Sequence, residues 1–188
     1  NGNFVFQYNT ALDEGGAITF SNLLNIQNGN YRFLSNTSNV GGAITNIEYG
    51  DIHFIDSSMQ FNNNTSKFDG GAIKAYYLYC SSSNILFDNN VVTRINGTGG
   101  AIAAYNLTIS SGIYWFRNNN VELGAVVEVL NKFIIADSNN LLQLDFTDNF
   151  SNGSILYFDT FDSSLACPHN SSYNSLTGCN NTYNFYNN

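Results

Sequence analysis

The sequence predicts an all-β protein: a right-handed parallel β-helix of about six three-stranded coils, followed by a disulfide-bearing C-terminal tail. Three observations carry this expectation. The tetrapeptide Gly-Gly-Ala-Ile stands at residues 15–18, 41–44, 70–73 and 99–102. A Phe-x-x-Asn motif precedes each copy and continues beyond them, pairing Phe6 with Asn9, Phe33 with Asn36, Phe61 with Asn64, Phe87 with Asn90, Phe116 with Asn119 and Phe146 with Asn149. The steps between these phenylalanines are 27, 28, 26, 29 and 30 residues. Apolar side chains alternate with polar ones around both motifs, and a fixed period of this length is the mark of a stacked solenoid.

The first strand of each repeat leads into its phenylalanine. Two residues before it stand Phe4, Tyr31, Met59, Ile85, Tyr114 and Leu144, all apolar, with Val5, Arg32, Gln60, Leu86, Trp115 and Asp145 between. That alternation is a half-buried strand. The glycine motif opens a second strand, with Ile18, Ile44, Ile73, Ile102, Val126 and Ile155 inward and Thr19, Thr45 and Lys74 outward. A third alternates as Leu24/Ile26, Ile52/Phe54, Leu78/Cys80, Leu107/Ile109 and Phe133/Ile135. At about 4.8 Å per coil, six coils make a rod roughly 29 Å long. Like residues then stack: the glycine pairs keep a Cβ out of a bend crowded by the next coil, and the asparagine amides satisfy one another and the bend backbone. Residues 1–160 are expected to form the β-helix, and 161–188 a disulfide segment and assembly strand.

Composition sets the function classes. Aromatic residues make up 15% of the 188-residue chain and charged residues only 11%, so the chain buries a core while its surface relies on neutral polar groups. A net charge of −8 with no basic run excludes nucleic acid as the expected partner. No apolar stretch approaches the roughly 18 residues of a membrane helix, and the opening at Asn1 reads as a mature or excised chain.

The paired motifs resemble the repeat of the chlamydial polymorphic outer membrane proteins, whose passengers are β-helical adhesins, and of related repeat proteins in microbial eukaryotes. The resemblance runs from residue 4 to about 157. No membrane β-barrel translocator is expected in residues 161–188, and the fifth and sixth glycine motifs are degenerate. The resemblance implies a surface role and names no ligand.

Cysteine placement points to an oxidising, extracellular compartment. Cys167 and Cys179 flank a Pro-, Asn-, Ser- and Gly-rich loop and are expected to form a disulfide. Cys80 falls in the inward slot held elsewhere by Ile26, Phe54, Ile109 and Ile135, the place of a buried small hydrophobe. Nine Asn-x-Ser/Thr sequons occur where the 33 Asn and 31 Ser plus Thr lead one to expect roughly five. Asn36, Asn64 and Asn149 belong to the repeat motif. N-linked glycans are expected instead among Asn96, in an inserted loop, Asn106, on an outward strand position, Asn170 and Asn180 in the tail, and Asn63 and Asn152.

Catalytic and metal chemistry find little support. The best acidic cluster, Glu48, Asp51, His53 and Asp56, has no matching group on an adjacent coil, and Asp145 with Asp148 is a weaker second; a solvated face explains both better than a catalytic pair held at fixed separation. His169 beside Cys167 gives an incomplete ligand set for tetrahedral zinc. No phosphate loop or serine elbow is present. No enzyme activity, cofactor or metal is expected.

The ends of such a rod expose unpaired strand edges. The first strand, with Phe4 and Phe6, begins too early for a cap to precede it, and Phe185 and Tyr186 fall in another Phe-x-x-Asn that pairs either at home or on a neighbour. The sequence therefore points first to an extracellular structural glycoprotein whose copies stack head to tail into a filament, since a heterologous contact that does not close propagates. The alternative is an adhesin for a carbohydrate ligand or host surface, using outward Tyr77, Tyr79 and Trp115. A polysaccharide-degrading β-helix comes third.

Overall fold

A computed structural model describes residues 2–136, 142–163 and 182–186. Three parallel sheets form the faces of a β-solenoid, and their strands recur in the same order along the chain. The first face holds seven strands: β1 (Gly2–Gln7), β4 (Gly29–Leu34), β8 (Ser58–Asn62), β11 (Ser83–Asp88), β14 (Gly112–Arg117), β17 (Leu142–Thr147) and β20 (Thr182–Tyr186). A narrow second face has β5 (Thr37–Val40), β9 (Thr65–Asp69), β12 (Val91–Val92), β15 (Asn120–Val121) and β18 (Phe150–Ser151). The third face comprises β2 (Ile18–Phe20), β3 (Leu23–Gln27), β6 (Ile44–Asn46), β7 (Asp51–Ile55), β10 (Ile73–Ser81), β13 (Ile102–Ile109), β16 (Ala125–Ile135) and β19 (Ser154–Ser163). Five full turns separate Phe6 from Phe146.

The phenylalanine period is a stacking period. Phe6, Phe33, Phe61, Phe87, Phe116 and Phe146 form one column, with successive ring centroids 4.8, 4.8, 4.9, 5.0 and 4.7 Å apart and planes within 7° of parallel. The coil spacing sets this distance, which lies in the range favoured by offset aromatic pairs. The rings from Phe33 to Phe146 are at most 2% exposed. Beside them Tyr31, Met59, Ile85, Tyr114 and Leu144 stand in register, so both apolar positions of the first strand are inward as expected.

Left-handed residues turn the corners. Two residues after each column phenylalanine, Tyr8, Ser35, Asn63, Asn89, Asn118 and Asp148 adopt φ of 51–56°. Such a residue costs about 1–2 kcal/mol unless it is Gly, Asn or Asp, the types that occupy four of the six corners. The asparagine that follows repairs the bend. Its Oδ1 accepts from the backbone N–H and Nδ2 of the asparagine one coil earlier, as Asn64 does from Asn36 at 3.1 and 2.9 Å. Its Nδ2 donates back to a phenylalanine carbonyl, as Asn64 does to Phe33 at 3.0 Å. A continuous amide ladder from Asn9 to Asn149 results.

The glycine pair has two separate reasons. Its first member turns the next corner, with φ of +60° at Gly41. The second passes under the coil above: a Cβ on Gly71 would lie 2.0 Å from the carbonyl oxygen of Gly100.

Three details depart from the sequence reading. The narrow second face, just after the asparagine, was not expected. In compensation, the expected second and third strands share one sheet and fuse into single strands from β10 onward, so each coil still has three faces. The degenerate glycine motifs also slip by one residue: Ile102 pairs with Val127 and Val127 with Leu156, not Val126 and Ile155. Gly124 and Gly153 thereby take the place of the first glycine, but without its left-handed φ. An extra residue in β16 absorbs the slip as a bulge between Val129 and Lys132.

Candidate functional site

The strand ladder of the described residues terminates at β1 and at β20. Among the described residues β1 pairs only with β4, on one edge. Phe4 is 46% exposed and Val5 51%, and the Phe6 ring is stacked on one face by Phe33. Asn9 donates to Asn36 through its backbone N–H and Nδ2, while its own Oδ1 has no partner among the described residues. The amide ladder therefore ends on an open acceptor. At the other end β20 pairs in parallel with β17 of its own chain, setting Phe185 opposite Phe146 and Tyr186 opposite Thr147. Within the chain β20 thus adds a seventh rung in the phenylalanine register.

The sequons divide by burial. Asn36, Asn64 and Asn149 are 0%, 0% and 4% exposed inside the ladder. Asn63 lies exposed on a left-handed corner, Asn96 on the turn after β12 and Asn152 on the turn after β18. Asn106 corrects the sequence reading. It occupies the register position of outward Tyr77 but is only 3% exposed, because the bulged coil above supplies Asn131, whose Nδ2 donates to Asn106 Oδ1 at 2.8 Å. Asn170 and Asn180 lie outside the described residues, as do Cys167, His169 and Cys179. Cys80 is free and buried in the third-face core, and desolvation pushes its thiol far above the usual range.

The outer faces do not assemble the clusters that sequence proximity suggests. Asp51 and His53 lie on the outward side of β7, flanked by Leu23 and Tyr77 and by Asn25 and Tyr79 respectively. The His53 ring packs edgewise on Tyr79 at 5.5 Å. Glu48 is exposed in the loop before β7, and Asp56 turns the corner after it. Asp145 accepts from Gln143 at 2.6 Å, whereas Asp148 occupies a corner. Among the described residues no group of His, Cys, Asp or Glu stands where it would hold a metal. Trp115 is on the first face, and Tyr77 and Tyr79 are on the third, so they make no common platform. A column the sequence reading missed runs along the third face: Tyr76 stacks on Tyr105 at 4.8 Å and meets Tyr49 edge-on at 4.8 Å. The signal was present, since the three tyrosines follow the repeat period.

A cavity of about 280 Å³ lies at the bend between the second and third faces, lined by Gly97, Thr98, Leu123, Gly124, Glu128 and Tyr157 among others. Glu128 is 9% exposed and accepts from the Ala125 N–H through Oε2 at 3.4 Å. Desolvation, aided by Asp69 and Asp159 and opposed by that hydrogen bond and Lys74, holds its carboxyl above the usual range. Among the described residues the one ion pair joins Lys74 to Asp69 at 3.9 Å, and Thr98 donates to the same Asp69 at 3.0 Å.

Residues 58–76 and 84–105 match the model of the Chlamydia polymorphic membrane protein repeat. Each matched span starts at or next to the opening of a phenylalanine strand, crosses the asparagine corner and the second face, and ends just inside the glycine-motif strand. The chain is thus similar to that family over two consecutive coils in its middle, where both motifs are complete. No curated protein and no solved structure matches the chain. No helix among the described residues is long and apolar enough to cross a membrane.

Proposed function

We propose that this protein is an extracellular structural glycoprotein whose coils stack head to tail, the open first rung of one copy meeting the last rung of another, to build an unbranched surface filament. The repeat similarity and the solenoid fit a surface repeat protein. The observation that carries the finer reading is that one sheet runs the whole length of the rod in one register. Among the described residues it runs from β1, whose one neighbour is β4, to β20, which repeats the phenylalanine strand. An incoming rung would cover the outer face of Phe6, pair the free edge of β1 and donate to Asn9 Oδ1. Because the two ends differ, the contact is heterologous and extends without limit.

Electron microscopy and sedimentation of purified protein over a concentration series test this. Filaments should appear as concentration rises. Phe4→Pro, which removes a donor from the edge strand and leaves the remaining coils intact, should give monomers with unchanged far-UV circular dichroism. Wild-type protein that stays monomeric at every concentration sinks the reading.

An adhesin function is the second reading, supported by the exposed Tyr49 and Tyr77 on the third face, at 79% and 43%. A glycan array separates the two: saturable binding lost on Tyr77→Ala favours the adhesin.

A further inference from the structure

We propose that the cavity beside Glu128 is a binding site for a small alkylammonium group, held by the Glu128 carboxylate with the Tyr157 ring and Leu123 around its stem. The argument begins with the outward column to which Glu128 belongs. Thr45, Lys74, Ala103, Glu128 and Tyr157 follow one another in register. Thr19 and Thr45 turn their hydroxyls back onto the bend carbonyls of Glu14 and Val40, and Lys74 pairs with Asp69. Each of these side chains is answered by its own coil. Glu128 is answered only in part, since Oε2 takes the Ala125 N–H while Oε1 has no partner among the described residues. A carboxylate 9% exposed that lines a cavity, with one oxygen lacking a hydrogen-bond partner among the described residues, is a charge only partly compensated, which proteins seldom bury without a partner.

The surroundings select the partner's chemistry. No Lys, Arg or His lines the cavity, which excludes an anionic ligand. The cation that acts on Glu128, Lys74, is engaged with Asp69, and Asp159, which accepts from the Tyr157 hydroxyl at 2.6 Å, adds to the negative field. A neutral hydroxyl compound would supply one hydrogen bond and leave the charge unanswered; an ammonium supplies both. Tyr157, 45% exposed, and Leu123, 50% exposed, give an aromatic and an aliphatic wall at the mouth, suited to a cation on a short apolar stem. The volume of about 280 Å³ lies just under the usual range for drug-sized ligands, which fits a single short chain. The chemistry is shared by a free small amine and by a lysine side chain of a partner protein.

The test is a titration of the isotopically labelled protein at neutral pH with n-butylammonium, with Nα-acetyl-lysine methylamide and with methyl glucoside, read as amide shifts of Gly124, Ala125 and Glu128. Saturable binding of butylammonium with Kd on the order of 1 mM is expected, with no saturable response to the glucoside. Glu128→Gln should weaken it about tenfold or more, as expected for a lost charge-assisted bond, and Tyr157→Leu about threefold. Asp13→Asn, an exposed acid elsewhere, should leave it unchanged. Tighter binding of the lysine derivative assigns the site to a partner's side chain; its exclusion assigns it to a free amine. Shifts that do not saturate, that persist equally in Glu128→Gln, or that the glucoside reproduces overturn the proposal.

Discussion

Asn36 and Asn64 share a single acceptor: both the backbone N–H and the Nδ2 of Asn36 donate to Oδ1 of Asn64, at 3.1 and 2.9 Å. Asn64 in turn donates through Nδ2 to Asn90 Oδ1 at 3.0 Å and to the Phe33 carbonyl at 3.0 Å. One amide thus holds three coils together in a place without solvent. Removing it strands the Phe33 carbonyl and two donors of Asn36, each worth about 1–3 kcal/mol when left unmet. Asn64→Ala should therefore cost about 3 kcal/mol or more in urea unfolding. Asn9→Ala, at the exposed end of the ladder where water replaces the lost partner, should cost about 1 kcal/mol or less. Equal losses at both positions would show that the ladder does not act as buried amides do.

The second glycine of each pair offers a graded test. A Cβ meets a carbonyl oxygen at 2.1 Å on Gly42 and at 2.0 Å on Gly71, but on Gly100 its closest neighbour is 3.1 Å away, because the coil above has slipped and carries Ala125 there. Gly71→Ala should destabilise by about 3 kcal/mol or more, whereas Gly100→Ala should cost about 1 kcal/mol. Thermal melts of the two variants decide this. A Gly100 variant as damaged as the Gly71 variant would contradict the slipped register.

Much of the fold was legible because stacked coils copy side chains upward at a constant interval. The Phe33, Phe61 and Phe87 column, the alternation of Ile52 with Phe54 and the burial of Cys80 all follow from that copying. The second face was not legible, since strands such as Val91–Val92 and Asn120–Val121 are two residues long and too short for any alternation to register. Nor was the slip from Val126 to Val127, because both are apolar and only packing against Ile102 decides between them. Asn106 failed for a related reason: its outward position is real in the neighbouring coil at Tyr77, and a single extra residue in β16, the next strand of the sheet, closes over it. The Glu128 cavity is lined from three successive coils, by Gly97, Glu128 and Tyr157 among others, so local sequence carries no sign of it.

Glycan attachment should follow exposure. Asn63, Asn96 and Asn152 stand on turns, where a glycan meets solvent, while a glycan on Asn106 would have to displace Asn131 and open the bulge. Intact mass of the secreted protein before and after deglycosylation, compared across Asn96→Gln and Asn106→Gln, should show a lost glycan for the former and none for the latter. A mass unaffected by deglycosylation removes the glycan coat from the proposed function.

The Glu128 carboxyl gives the stability a pH dependence whose sign differs from that of an ordinary paired acid. Its folded pKa is raised above the unfolded value, mainly by desolvation, with Asp69 and Asp159 adding to the shift and Lys74 and the Ala125 N–H opposing it. Between the two values the folded chain holds a proton that the unfolded chain has lost, so unfolding releases protons there. The stabilisation is complete below the unfolded value and is lost as pH rises through the folded one. Glu128→Gln removes the titration while keeping the shape and a hydrogen-bond acceptor for Ala125. Urea midpoints measured from pH 4 upward should therefore fall less steeply for this variant than for the wild type, and the variant should be the more stable at neutral pH. Saturating butylammonium should narrow that neutral-pH difference in the wild type alone, since it supplies the charge the cavity lacks. Parallel curves for the two proteins would mean that Glu128 is as well solvated in the folded chain as in the unfolded one.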